Sequence, residues 1–200
     1  VLRNLHNPQG FQINICGINA GNRGFLCSFE QHTTHVFNEI LTQKKFPFRK
    51  RKRYVASISN YENFTSRYFV NETTISANRI ARLQKIELHY GDVLIDEYLA
   101  DGIIISSPQG STAYNLAAGG SIVHHELEAY SITPICPHHL NHRSLVLPDY
   151  REIHLKINGN QPGLVTLDGQ ETFEVSDQNI ITVRPSNEEI FVLRNPEEKY

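Results

Sequence analysis

Asn71 and Glu72 stand side by side where a strand-like run ends. A carboxylate can accept two hydrogen bonds from a ribose-type diol, and an amide can donate and accept at a heterocycle edge. The pair could therefore clamp a polar ligand; equally, it could open an ordinary loop. Farther on, Asp101 to Gly120 reads DGIIISSPQGSTAYNLAAGG. An acid and a glycine precede the apolar Ile103-Ile104-Ile105, a hydroxyl-rich turn follows, and helix formers lead to Gly119-Gly120. The pattern predicts a strand, a polar turn, a short helix and a stop, with Ser111 or Thr112 as N-cap and Gly119 as terminator. Hydroxyls and backbone N–H groups at such a turn can receive ligand oxygens; a plain strand-to-helix connection has the same look. An acid such as Asp101 beside a buried strand costs desolvation unless a partner or ligand donor meets it. Arg82 could meet a ligand phosphate or lie idle on the surface. His138 and His142 have the spacing of a zinc pair on a helix, but Pro137 and the lack of a third nearby ligand favour polar or packing roles for the histidines, His124 and His125 included. Ser111 with a histidine would hint at a hydrolase, but the G-x-S-x-G elbow is absent.

Other elements must position these groups. The 200 residues are 40% hydrophobic and 20% charged, with a net charge of −2, so the chain can bury a sizeable core and has no global pull toward nucleic acid or acidic membranes. No apolar run approaches the roughly 20 residues of a membrane span, and no signal-peptide pattern opens the chain. Cys16, Cys27 and Cys136 are odd in number and lack metal-type pairing, which fits a reducing compartment. Phe11 to Ile18 reads as a buried parallel strand, Asn19 to Gly24 as a loop at its carboxyl end, and Phe29 to Thr42 as a helix. Together they resemble the tail of an α/β domain. Lys44 to Arg53 (KKFPFRKRKR) is basic with interleaved aromatics. It could bind nucleic acid or a phosphorylated partner, or be a solvated linker into an edge strand, with Pro47 at a domain boundary. Period-two runs then follow at 54–58, 68–70, 86–90, 93–96, 144–147, 153–157, 164–167, 180–183 and 190–193, with turn signals at Gly91-Asp92, Asn158-Gly159 and Asp168-Gly169. Such short strands predict an antiparallel β-sandwich.

Several motifs agree in order. Gly17-Ile18-Asn19, Gly21 and Gly24-Phe25-Leu26 come first, then Asn71-Glu72, the Asp101–Gly120 stretch, Thr133-Pro134-Ile135-Cys136-Pro137-His138, Leu145-Val146-Leu147-Pro148-Asp149 and Asp168-Gly169-Gln170. In this the chain resembles the NAD kinase family over nearly its whole length. The resemblance implies an α+β fold: the remnant of an N-terminal α/β (Rossmann-like) domain over 1–46, an antiparallel β-sandwich that binds NAD over 47–185, and a segment over 186–200 returning to the α/β domain. It implies transfer of the terminal phosphoryl of ATP, or of polyphosphate, to the 2′-hydroxyl of the adenosine ribose of NAD, with Mg²⁺ or another divalent metal. It implies NAD contacts at Asn71, Glu72, Arg82, Asp101, Thr112, Ala113, Tyr114, Asn115, Leu116, Ala117 and Gln170, with Glu72 on a ribose hydroxyl and Tyr114 as an aromatic wall. A cytoplasmic homodimer or homotetramer is expected, without a membrane or nucleic-acid partner.

The family usually has serine where Ala117 stands, threonine at Ser107 and Gln109, and proline at Ser121 and His125, so the site geometry is expected to differ most at Gln109 and Ala117. The family's base is an aspartate in a Gly-Gly-Asp-Gly segment, which would fall before Val1; the chain, which has no Met, is expected to be a fragment without a catalytic residue of its own. A non-catalytic NAD-binding module, a lipid kinase of the diacylglycerol or sphingosine type, and a nucleic-acid-binding β-sandwich stand as alternatives.

Overall fold

The computed structural model describes residues 13–19, 29–30, 34–44, 46–61, 66–78, 83–139, 141–159 and 161–196. In chain order its elements are β1 (Ile13–Ile15), β2 (Ile18–Asn19), β3 (Phe29–Glu30), α1 (Thr34–Gln43), β4 (Phe48–Ile58), β5 (Arg67–Phe69), β6 (Glu72–Ala77), β7 (Gln84–Tyr90), β8 (Val93–Ala100), β9 (Gly102–Ser106), a 3-10 turn (Gln109–Thr112), α2 (Tyr114–Ala117), β10 (Ala129–Ile135), β11 (Leu145–Pro148), β12 (Ile153–Asn158), β13 (Gly163–Leu167), β14 (Glu171–Val175) and β15 (Ile180–Leu193). They fall into two compact units, Arg53–Ser186 and Gly10–Lys52 with Asn187–Tyr200.

Within Arg53–Ser186, two mostly antiparallel sheets face each other. One has the order β5-β4-β15-β12-β7-β8 and the other β11-β10-β9-β6-β13-β14. Ile86, Leu88, Tyr98, Leu155 and Val183 from the first sheet share one core with Ile75, Ile103, Ile105, Ile132 and Leu167 from the second. The alternating burial of β7, β12 and β13 is that of strands with one face inward and one outward. The Gly91-Asp92 turn joins β7 to β8, with Tyr90 opposite Val93, as its residue types predict. The basic run enters β4, which lies between β5 and β15 rather than at an edge. Arg53 is 1% exposed, with its guanidinium 4.2 Å from the centre of the Tyr68 ring.

β9 and β10 are buried on both faces. Ile103 and Ile105 face the core. On the outer side, Ser131 and Thr133 of β10 bond to Asn115 of the segment that follows β9. The sequence after the central strand therefore folds back as a cover over its own sheet.

In the other unit, β1 runs parallel to the end of β15, with Ile13 opposite Ile190. The helix expected from Phe29 begins at Thr34, and Phe29 and Glu30 instead form a strand parallel to β2. Phe29 packs with Val36, Ile40 and Leu193; that shared burial is what mimicked helical spacing. Leu41 points outward, 47% exposed. The expected loop over Asn19 to Gly24 lies, after Asn19, outside the described residues.

Candidate functional site

The candidate site is one end of the second sheet. The register sets Glu72 opposite Ser106 and Thr73 opposite Leu167. The starts of β6 and the ends of β9 and β13 therefore coincide, and the loops leaving them meet.

Asp168 ties the corner together. It sits at φ 47° and Gly169 at φ 64° in a tight turn, a conformation that aspartate and glycine tolerate better than most residues. Its carboxylate accepts the backbone N–H groups of Val70 (2.9 Å), Asn71 (2.7 Å) and Glu72 (3.1 Å), and its own N–H donates to the Glu72 carbonyl at 2.9 Å. The Asp-Gly pair was legible as a turn; its hold on residues 96 to 98 positions away was not.

The turn after β9 closes on the same residues. Ser107 donates its N–H to the Asn71 carbonyl at 2.8 Å and its hydroxyl to the Val70 carbonyl. Gly110 lies against the Asn71 backbone, where an added Cβ would sit 2.1 Å from the carbonyl oxygen. Neither expected N-cap caps the helix. A 3-10 turn intervenes and Ala113 occupies the cap position without a side-chain bond. The Ser111 hydroxyl instead donates back to the Pro108 carbonyl at 2.7 Å and accepts the Val123 N–H at 3.0 Å. Gly119, at φ 84°, ends α2 as expected, its N–H on the Leu116 carbonyl.

Glu72 is 7% exposed. Burial first, and the nearby Asp168 carboxylate second, push its carboxyl up to about 7, while the Tyr114 backbone N–H works the other way. Its Oε2 is buried with no hydrogen-bond partner. A carboxylate oxygen in that state is costly unless a donor arrives.

The expected contacts divide accordingly. Asn71, Glu72, Thr112 and Ala113 lie at this corner, and α2 presents Tyr114 (47% exposed), Leu116 (42%) and the exposed Ala117 from it. Gln170 is exposed just past the Asp168-Gly169 turn, its N–H on the Leu167 carbonyl. Asn115 is fully buried. Asp101 is exposed at the opposite end of β9, whose five residues span about 17 Å, so one chain does not bring it to Glu72. Arg82 lies outside the described residues. His124 and His125 stack at 4.4 Å, and His142 approaches Asp96 at 3.6 Å. Among the described residues no three His, Cys, Asp or Glu side chains gather as a metal shell would require.

The chain is similar to known proteins over most of its length. The family model of the ATP-NAD kinase C-terminal domain matches residues 70–194. The chain is 37% identical to an NAD kinase of Flavobacterium psychrophilum, over 94% of this chain and 65% of that protein. It is 34% identical to an NAD kinase of Caldanaerobacter subterraneus subsp. tengcongensis, over 87% and 62%. It thus spans less than two thirds of the length of these curated relatives. Among solved structures it resembles yeast NADH kinase complexed with NADH, with a TM-score of 0.88 and 23% identity over 98% of this chain and 59% of that one. It also resembles an NAD kinase from Archaeoglobus fulgidus in complex with ATP, with a TM-score of 0.80 and 24% identity over 93% and 71%; at these identities the likeness is one of fold. The match from residue 70 takes in the Asn71-Glu72 corner, the segment after β9 and the Asp168 turn, and by it this chain belongs to the ATP-NAD kinase family, whose C-terminal domain it carries.

Proposed function

We propose that the chain is the NAD-binding part of an NAD kinase, which moves the terminal phosphoryl of ATP, or of polyphosphate, to the 2′-hydroxyl of the adenosine ribose of NAD. One observation carries this reading: Glu72 is a buried carboxylate whose Oε2 lacks a donor, at the corner where Asn71, the Asp168 turn and Tyr114 meet. A ribose diol supplies hydroxyl donors of the missing kind. Ionised Glu72 accepts from the ribose, the Asn71 amide reads a polar edge, and Thr112 and Ala113 line the entry. The half-exposed Tyr114 ring offers a stacking wall, with Leu116, Ala117 and Gln170 at the rim. Arg82 is assigned to a ligand phosphate.

Phosphoryl transfer depends on positioning and on neutralising phosphate charge. Among the described residues no three His, Cys, Asp or Glu side chains converge; a divalent ion would enter with the phosphates of ATP, which would supply much of its oxygen shell. No side chain of the 200 residues is assigned the base; the resemblance gives that role to an aspartate of a Gly-Gly-Asp-Gly segment, which this sequence does not contain. These residues bind and orient the acceptor.

Gly10–Lys52 with Asn187–Tyr200 is read as part of an α/β domain. The parallel pairing of β1 with β15 supports this. Asp101, at the far end of β9, is read as reaching the dinucleotide held by a second copy in a homodimer or homotetramer. The exposed thiols of Cys16 and Cys136 fit a reducing, cytoplasmic setting.

Calorimetric titration of NAD against the intact protein and an Asn71→Ala/Glu72→Ala variant, beside an ATP-dependent assay for NADP, tests the reading. Loss of binding in the variant is expected; equal binding by both would sink the site assignment.

A further inference from the structure

The segment after β9 covers only part of the outer face of its sheet. Thr74 of β6 stands opposite Ile104 on one side and Thr166 on the other. Ile104 in turn faces Thr133, and Thr166 faces Thr172. One row of side chains thus crosses from β10 to β14, and directly opposed residues point the same way. Ile75, Ile103, Ile105, Val165 and Leu167 lie in the core, so the row between them faces outward. Ile104 and Thr133 are nevertheless 0% and 2% exposed, with the Thr133 hydroxyl on Asn115 at 2.7 Å. Thr74 and Thr166 are half-buried and Thr172 is exposed. The cover therefore ends between β9 and β6, and Thr74 stands at its foot.

Glu72 is two residues before Thr74, on the same face of β6 and about 7 Å away along the strand. Its Oε2 lacks a partner. Farther along the row, the hydroxyls of Thr166 and Thr172 bond to each other at 3.1 Å. Among the described residues, the Thr74 hydroxyl has no hydrogen-bond partner. The floor beside the cover thus offers first a carboxylate oxygen and then a hydroxyl, each open to a ligand. No strand of this sheet carries a lysine or arginine. Glu174, two residues past Thr172 on the same face, adds negative charge. A phosphate laid on this floor would meet carboxylates and no cation. A neutral hydroxyl or amide would find a donor and an acceptor in the threonine.

We propose that Thr74 contacts the ligand: its hydroxyl takes an uncharged hydroxyl or amide group of the dinucleotide whose ribose Glu72 holds, so that the phosphates lead away from this sheet. The proposal rests on the reading of Glu72 as the ribose acceptor. Thr74→Val exchanges the hydroxyl for a methyl in a strand that suits valine, and Thr74→Ser keeps it. Thr172→Val removes a hydroxyl from the same face, but one already bonded to Thr166, and is the control. Glu72→Gln reports on the underlying reading. Calorimetry of the intact protein measures NAD affinity. Displacement of NAD measures adenosine and nicotinamide riboside, which carry a diol and no phosphate.

Thr74→Val should weaken NAD binding about three- to tenfold, the effect of one neutral hydrogen bond. Thr74→Ser should recover most of that loss, and Thr172→Val should stay within about twofold of the wild type. The loss should persist with at least one of the two nucleosides. Should Thr74→Val not fold, Thr74→Ala is read by the same criteria. Unchanged NAD affinity in Thr74→Val, with a loss in Glu72→Gln, overturns this inference and leaves the reading of Glu72 standing. An equal loss in Thr172→Val or in Thr74→Ser also overturns it. A loss with NAD but with neither nucleoside would put a phosphate at Thr74 and overturn it as well. Absence of NAD binding by the wild type, or full binding by Glu72→Gln, refutes the reading of Glu72, and this inference falls with it.

Discussion

Replacing Glu72 by glutamine keeps the shape of the side chain and removes its charge. In the folded protein the Glu72 carboxyl is pushed up to about 7 from an ordinary 4.5. A group whose folded-state pKa lies above its unfolded value binds its proton more tightly when folded. Its contribution to stability is complete below about pH 4.5 and is lost as the pH rises through about 7. At about 1.4 kcal/mol per pH unit, the ionised carboxylate costs the folded state about 3 kcal/mol by pH 8. Glu72→Gln escapes that cost. Urea unfolding of the intact protein, followed by far-UV circular dichroism from about pH 5 to 8.5, should show the variant gaining on the wild type as pH rises, approaching about 3 kcal/mol. Titrating groups remote from Glu72 are common to both proteins and cancel in the difference. A difference that stays flat across this window would refute the claim that Glu72 is buried, ionisable and short of a donor.

Further outcomes follow from the same corner. If NAD binds the ionised form of Glu72, its affinity should rise about tenfold between pH 6 and pH 8 and the rise should vanish in Glu72→Gln; calorimetry across that range checks it. Asp168→Ala strips the partner from three backbone N–H groups at once and should cost about 3 kcal/mol or more in thermal or urea unfolding; wild-type stability would show that the hub is dispensable. Gly110→Ala forces a methyl into the Asn71 carbonyl and should destabilise by about 1–3 kcal/mol while weakening NAD binding, so a variant with unchanged NAD affinity would show that the Asn71 backbone is not held by this approach.

How much was legible depended on how local the cause was. β9 could be read because an apolar run bounded by a glycine and serines admits few other structures. The Gly91-Asp92 hairpin could be read because a two-residue turn is set by its own residues. β6, with the sequence ETTISA, was not visible as a strand, because its burial comes from β9 and β13 on either side and not from its own alternation. β15 was expected as two strands and runs unbroken from Ile180 to Leu193, Pro185 included. The helix start at Phe29 and the caps at Ser111 and Thr112 failed for a related reason. Each rested on a residue type suited to a local role; Phe29 packs against the distant Leu193, while the Ser111 and Thr112 hydroxyls turn back to carbonyls three residues upstream in the 3-10 turn.

By itself, the sequence determined which residues carry polar groups able to meet a ligand, the β-rich character of the chain and the places where it turns, because those follow from side-chain chemistry and short-range backbone preference. Tertiary structure alone decided which of these residues meet. It joined Asn71 and Glu72 to Asp168, nearly a hundred positions away, and left Asp101 at the other end of its strand. It turned Asn115 inward, its four hydrogen-bonding positions occupied, and left Glu72 with an oxygen that has no partner. Burial and hydrogen-bond saturation are properties of the assembled sheets, and no stretch of chain carries them before those sheets close.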